Sequence, residues 1–151
     1  MKKLLGVLLL AWASNSIACD YYVVGFKGKN GAFDTKAFND YVGKNCSRLY
    51  SAEQTKEAVN FINHITVPYE LYGFSLGAQS VRTVLKNAYI RPVFVLTIGA
   101  YHTVDVNFDR YGVKYKNYFD ASGWNQTSPG IKVPNVHHMD LQKYVTREMR
   151  K

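Results

Sequence analysis

Apolar positions along this chain fall into two kinds of run. Short blocks of β-branched and aromatic residues recur at Tyr21–Gly25 (YYVVG), Tyr69–Phe74 (YELYGF) and Arg91–Gly99 (RPVFVLTIG). Blocks of this length and composition predict strands. The unbroken apolar centre of the third predicts burial on both faces, as in a parallel sheet. Val113–Phe119 alternates and predicts a fourth strand, while Arg48–Leu49–Tyr50 and Ile131–Lys132–Val133 are short candidates.

Between these blocks apolar residues return at helical spacing. DTKAFNDYVGKN has Asp34 as its N-cap, Phe38, Tyr41 and Val42 on its inner face, and Gly43 near its end. Ser51 is the expected cap of SAEQTKEAVNFINHI, where Ala58, Phe61, Ile62 and Ile65 line one face. Val81, Val84 and Leu85 form the inner stripe after the second strand, and VHHMDLQKYVTREM closes the chain as a helix. Ala121–Pro134 is loop-like in composition, and Tyr101–Asp109 shows no clear period. Alternating strands and helices predict an α/β three-layer sandwich around a mostly parallel sheet of about five strands, joined by right-handed crossovers.

The first residues stand apart. Lys2 and Lys3 precede an apolar run, Leu4–Ala13, and a small-residue stretch, Ser14–Ala18. This is the layout of a secretory leader, and the run is short for a bilayer span. The expected organisation is a leader over residues 1–18 and one domain over 19–151. A chain of 151 residues with 47% hydrophobic and 20% charged residues can bury a core, which excludes disorder by composition.

Export changes the reading of the two cysteines, Cys19 and Cys46. In an oxidising compartment they predict a disulfide. Cys19 precedes the first strand and Cys46 follows the first helix, which returns the chain to that strand's starting edge. Ile17-Ala18-Cys19 also resembles the end of a lipoprotein box, so a lipidated Cys19 anchoring the protein to a membrane is the alternative; two free thiols are a third. The expected location is periplasmic or secreted.

The formal charge of +8 admits peripheral contact with an anionic membrane or cell-wall polymer. The lysines and arginines are scattered and no aromatic-basic RNA motif occurs, so no nucleic-acid partner is expected.

The candidate chemistry centres on Gly73-Phe74-Ser75-Leu76-Gly77, a G-x-S-x-G sequence lying after a predicted strand and before a predicted helix. In that context it reads as an elbow presenting a nucleophilic serine, with glycines where side chains would collide with neighbouring backbone. VVGFKG, YGFSLGA, VLTIGA and NVHHMDL, in this order, resemble a small lipase/esterase-type member of the α/β-hydrolase superfamily. The resemblance spans nearly all of the chain after the leader, but without the first two strands of the family fold and without a cap domain.

That resemblance implies a Ser-His-Asp triad in the chain order serine, acid, histidine. Ser75 is the implied nucleophile. His64 and His102 precede the slot for the base; His137 and His138 occupy it, and His138 is favoured because His-x-Asp opens the terminal helix. Asp140 is then a helix N-terminal charge. Asp120, after the fourth strand, and Asp105, in the loop after the third, are alternative acids, with Asp109 a weaker third. The implied oxyanion donors are the backbone N–H of Leu76 and one from Phe26 or Lys27. No cofactor and no metal are expected, since adjacent histidines chelate one ion poorly. The reading is an exported serine hydrolase acting on a small ester or acyl substrate. The alternative is a catalytically inactive hydrolase-like binding protein at the envelope.

Overall fold

The computed structural model describes residues 18–101, 103–121 and 129–151. The leader expectation falls almost wholly on residues 1–17, outside the described residues, as does His102. Among the described residues six strands form one sheet: β1 (Tyr22–Phe26), β2 (Cys46–Tyr50), β3 (Tyr69–Phe74), β4 (Phe94–Ile98), β5 (Tyr115–Phe119) and β6 (Ile131–Lys132). Their order is β2-β1-β3-β4-β5-β6, and every pairing is parallel. The sheet therefore has one strand more than expected, because both short candidates pair: β2 with β1 and β6 with β5.

Among the described residues four helices cover it: α1 (Thr35–Val42), α2 (Thr55–His64), α3 (Gly77–Asn87) and α4 (Leu141–Met149). The apolar core lies in two parts. Ala58, Ile62, Val81, Val84 and Leu85 of α2 and α3 pack with Val24, Leu71 and Val95 on one side. Phe38, Val42, Leu141 and Val145 of α1 and α4 pack with Val23, Tyr72 and Leu96 on the other. Alternate residues of β1, β3 and β4 thus feed opposite faces, which produces the unbroken apolar runs of the sequence.

Local signals explain most boundaries. Asp34 accepts a hydrogen bond from the Ala37 N–H at 2.9 Å and caps α1. Gly43, at φ 60°, ends that helix. Ser51 is not the cap of α2. Its N–H bonds to Gln54 Oε1 and its carbonyl to the Gln54 N–H, so a turn comes first and the helix starts at Thr55. The last helix also starts later than Val136, after a 3-10 turn over His138–Asp140.

Cys19 and Cys46 form a disulfide, with Cα atoms 5.8 Å apart. The bond ties the entry of β1 to that of β2, beside the Cys46 N–H to Tyr21 carbonyl hydrogen bond of 3.1 Å. With its sulfur in this bond, Cys19 has no thiol to carry a lipid, which corrects the lipoprotein alternative.

Candidate active site

The chain leaves β1 toward β2 on one side and then returns to β3 on the other side of β1. Strand order reverses between β1 and β3, and the crevice beyond their carboxyl ends is where open α/β sheets bind ligands. Ser75 follows β3 at that point. Its φ is 55°, a left-handed conformation that costs a non-glycine residue about 1 kcal/mol or more. The turn is held by the Ser75 N–H to Ile98 carbonyl bond of 2.8 Å and the Ala78 N–H to Ser75 carbonyl bond of 3.0 Å.

The flanking glycines let backbones meet. A Cβ on Gly77 would stand 2.3 Å from the Phe26 carbonyl oxygen, and one on Gly73 2.6 Å from that of Gly77. Helix α3 can therefore begin against the end of β1. The loop after β1 leans on the elbow as well: a Cβ on Gly28 would come within 3.2 Å of Ser75 Cβ.

His138 reaches the same region from the 3-10 turn before α4. Its ring lies 5.0 Å from that of Phe74, the residue before Ser75, and 6.3 Å from that of Tyr101. It also sits against Gly99, where a Cβ would be 2.7 Å from His138 Cε1 and where φ is 67°. Its Nδ1 hydrogen-bonds Asp120 Oδ2. The Asp120 side chain is 3% exposed and that of His138 25%. A carboxylate at Nδ1 fixes the ring so that Nε2 is the nitrogen left for chemistry. Among the described residues no hydrogen bond joins the Ser75 hydroxyl to His138.

The two candidate acids are separated by this geometry. Asp105 pairs with Arg82 of α3 at 3.1 Å, accepts the Asn107 N–H at 2.9 Å and does not meet His138. Asp109 accepts the Tyr115 hydroxyl at 2.7 Å, also away from the imidazole. His137 instead caps its own turn, Nδ1 accepting the Met139 N–H at 3.3 Å. His64 bonds the Asn60 carbonyl at the end of α2.

The backbone donors divide likewise. Leu76 precedes the first turn of α3, where N–H groups lack helical acceptors, and its N–H makes no hydrogen bond among the described residues. The Lys27 N–H is committed to the Tyr50 carbonyl at 2.9 Å, which corrects Lys27 as an oxyanion donor. Phe26 lies within the ladder, paired with Tyr50 on one side and Gly73 on the other. The Gly28 N–H is taken by the Ala32 carbonyl at 2.9 Å.

Two supporting residues escaped the sequence reading. Gln142, fully buried, accepts the Asp34 N–H at 2.7 Å and donates to the Tyr72 hydroxyl at 2.9 Å. It thereby ties the helix after His138 to the loop after β1. Asn117 of β5 donates to the Val106 and Pro129 carbonyls, both at 2.8 Å, and accepts from Thr97. It fixes the segments on either side of Asp120. Both are polar residues on otherwise apolar inner faces, a signal visible in the sequence.

No protein-family model matches the chain, and no curated protein matches its sequence. Its likeness to solved structures is clear. A protein described as a YdeN-like hydrolase, from Pectobacterium atrosepticum, superposes with a TM-score of 0.60 at 14% identity, over 94% of this chain and 93% of that one. YbtT, a type II thioesterase of the yersiniabactin NRPS/PKS biosynthetic pathway, gives 0.52 at 9% identity, over 89% of this chain and 92% of that one. The chain has the α/β-hydrolase fold, in a minimal form whose sheet begins at β1 among the described residues.

Proposed function

We propose that the protein is an exported serine hydrolase that cleaves an ester or thioester. The observation that carries this reading is the joint placement of a strained, buried Ser75 at the β3–α3 elbow and of a His138–Asp120 pair against the same crevice. In the proposed reaction the Ser75 oxygen attacks the carbonyl carbon while His138 Nε2 takes the hydroxyl proton. Asp120 holds the imidazole and stabilises its cation without taking the proton. The negative oxygen of the tetrahedral intermediate accepts the Leu76 N–H, and such a donor is worth about 3 kcal/mol of barrier. His138 then gives its proton to the departing alcohol or thiol. Water, deprotonated by His138, releases the acyl group and restores Ser75.

Serine-to-base hydrogen bonds often tighten only when substrate is bound, so the lack of a Ser75–His138 hydrogen bond among the described residues is compatible with this role. That same lack favours the second reading, a hydrolase-like protein that binds without catalysis. Release of thiol and phenol from short acyl thioesters and aryl esters separates the two. Turnover by the folded protein, abolished in Ser75→Ala, is expected. Equal background rates for both proteins would leave the binding reading.

A further inference from the structure

The edge of the sheet opposite Ser75 carries an unusual loop. Residues 88–93 join α3 to β4 and present Tyr89, Ile90 and Val93 to solvent, 88%, 44% and 48% exposed. The loop is firmly held. The Tyr89 N–H bonds Asn63 Oδ1 at 2.9 Å, the Val93 N–H bonds the Tyr69 carbonyl at 2.9 Å, and the Tyr69 hydroxyl bonds the Ile90 carbonyl. These bonds anchor the loop to α2 and β3, while Tyr89, Ile90 and Val93 stay exposed.

Cations surround them. Arg91 lies 5.1 Å over the Tyr111 ring and Arg110 4.9 Å from the same ring, which brings two guanidinium groups together. Lys86, exposed in the last turn of α3, stands three residues before Tyr89. Lys114 is exposed beside the entry of β4, its carbonyl accepting the Val95 N–H at 2.9 Å. The acid nearest to this loop in sequence, Asp105, is paired with Arg82 at 3.1 Å, and the next, Asp109, is engaged by the Tyr115 hydroxyl.

We infer that this edge docks on an anionic phospholipid surface, with Tyr89, Ile90 and Val93 entering the headgroup boundary and Lys86, Arg91, Arg110 and Lys114 meeting lipid phosphates. The chemistry favours a bilayer over a protein. A stable protein interface needs about 800 Å² per partner, far more than three side chains supply. Interfacial binding works with a small apolar wedge supplemented by charge, and tyrosine suits the boundary because one end is apolar and the other wet. The net charge, +8 for the whole chain and +6 once Lys2 and Lys3 of the leader are set aside, adds long-range attraction. Among the described residues no helix is long and apolar enough to cross a membrane, so the contact would be peripheral. Docked this way, the protein turns the Ser75 edge away from the lipid.

Flotation with vesicles tests the inference independently of any hydrolase activity. The protein should float with vesicles of phosphatidylcholine mixed equally with phosphatidylglycerol, and not with phosphatidylcholine alone, and added salt should release it. Tyr89→Ser with Ile90→Ser should lower partitioning by about tenfold, and Lys86→Gln or Lys114→Gln by about fivefold each. All four positions are exposed, and unchanged thermal unfolding confirms that the variants fold. Equal binding to both vesicles, no binding by the folded protein, or serine variants that float like the parent would overturn it. So would self-association abolished by the serine changes without flotation, which would make the patch a contact between copies of this chain.

Discussion

His138 meets Asp120 through Nδ1 at a carboxylate almost sealed from solvent, although the two residues are 18 positions apart in sequence. Asp120 directly follows β5 and His138 opens the turn before α4, so the fold of the sheet is what joins them. On the proposed mechanism Asp120→Asn removes the charge that stabilises the imidazolium and should lower kcat/KM by about ten-thousandfold with little loss of folding. Asp105→Asn breaks only an exposed pair with Arg82 and should change kcat/KM less than about threefold and stability by under about 1 kcal/mol. Steady-state kinetics on both variants decides between the carboxylates, and the reverse ranking would contradict the assignment.

Gly99→Ala tests the seat of the imidazole. A methyl group there would stand 2.7 Å from His138 Cε1, on a backbone with φ 67°. The strain costs about 1–2 kcal/mol, and the ring must move. Activity should therefore fall by more than about tenfold even below the unfolding temperature, where the variant remains folded. An active enzyme with merely lower stability would show that the ring is not held against Gly99.

Gln142→Leu tests the tie between the loop after β1 and the helix after His138. It leaves the Asp34 N–H and the Tyr72 hydroxyl without their buried partner. Each such loss costs about 1–3 kcal/mol, so a denaturant midpoint lowered by at least about 2 kcal/mol in equivalent free energy is expected. An unchanged midpoint would mean that the contacts are replaced by water.

The disulfide closes a loop across 27 positions. Loop-closure entropy then predicts a loss of about 3–4 kcal/mol in the Cys19→Ser, Cys46→Ser double variant. Equilibrium unfolding with and without the bond measures it directly.

Alkaline pH should weaken the fold in a defined window. Burial raises the phenols of Tyr69 and Tyr72 above the ordinary tyrosine value, and burial with the Glu70 hydrogen bond does so for Tyr21. Burial, aided by Asp109, pushes Tyr115 up to about 12. The folded state therefore binds these protons more tightly than the unfolded chain. Their contribution is complete below the unfolded tyrosine pKa of about 10 and is lost as pH climbs above it. Unfolding free energy should hold level into the mildly alkaline range and fall beyond about pH 10. Ready ionisation of Tyr72 in the native protein near that pH would contradict its burial.

The strands with unbroken apolar centres, the elbow and the cap of α1 were legible because each is written in contiguous residues. Ser75 could be picked from a five-residue pattern in its strand-turn-helix setting. Asp105 and Asp120 could not be separated, since both follow strands and only contacts across the fold, Asp120 with His138 and Asp105 with Arg82, distinguish them. The Lys27 N–H looked available in sequence because its acceptor, Tyr50, lies on a neighbouring strand. Ser51 looked like a cap because a serine followed by a helical pattern usually is one, but Gln54 closes a turn first. For the carboxylates and for Lys27 the missing information was a contact between segments distant in the chain; for Ser51 it was a local turn closed by Gln54 three residues on.

The central claim is that Ser75 is an activated nucleophile. Treating the purified protein with a fluorophosphonate probe, beside Ser75→Ala, His138→Ala and Asp105→Asn, measures this directly. Covalent labelling of the parent and of Asp105→Asn is expected, with none of Ser75→Ala and strongly slowed labelling of His138→Ala. A folded, monodisperse parent that takes up no probe, or a Ser75→Ala variant labelled as fast as the parent, would contradict it.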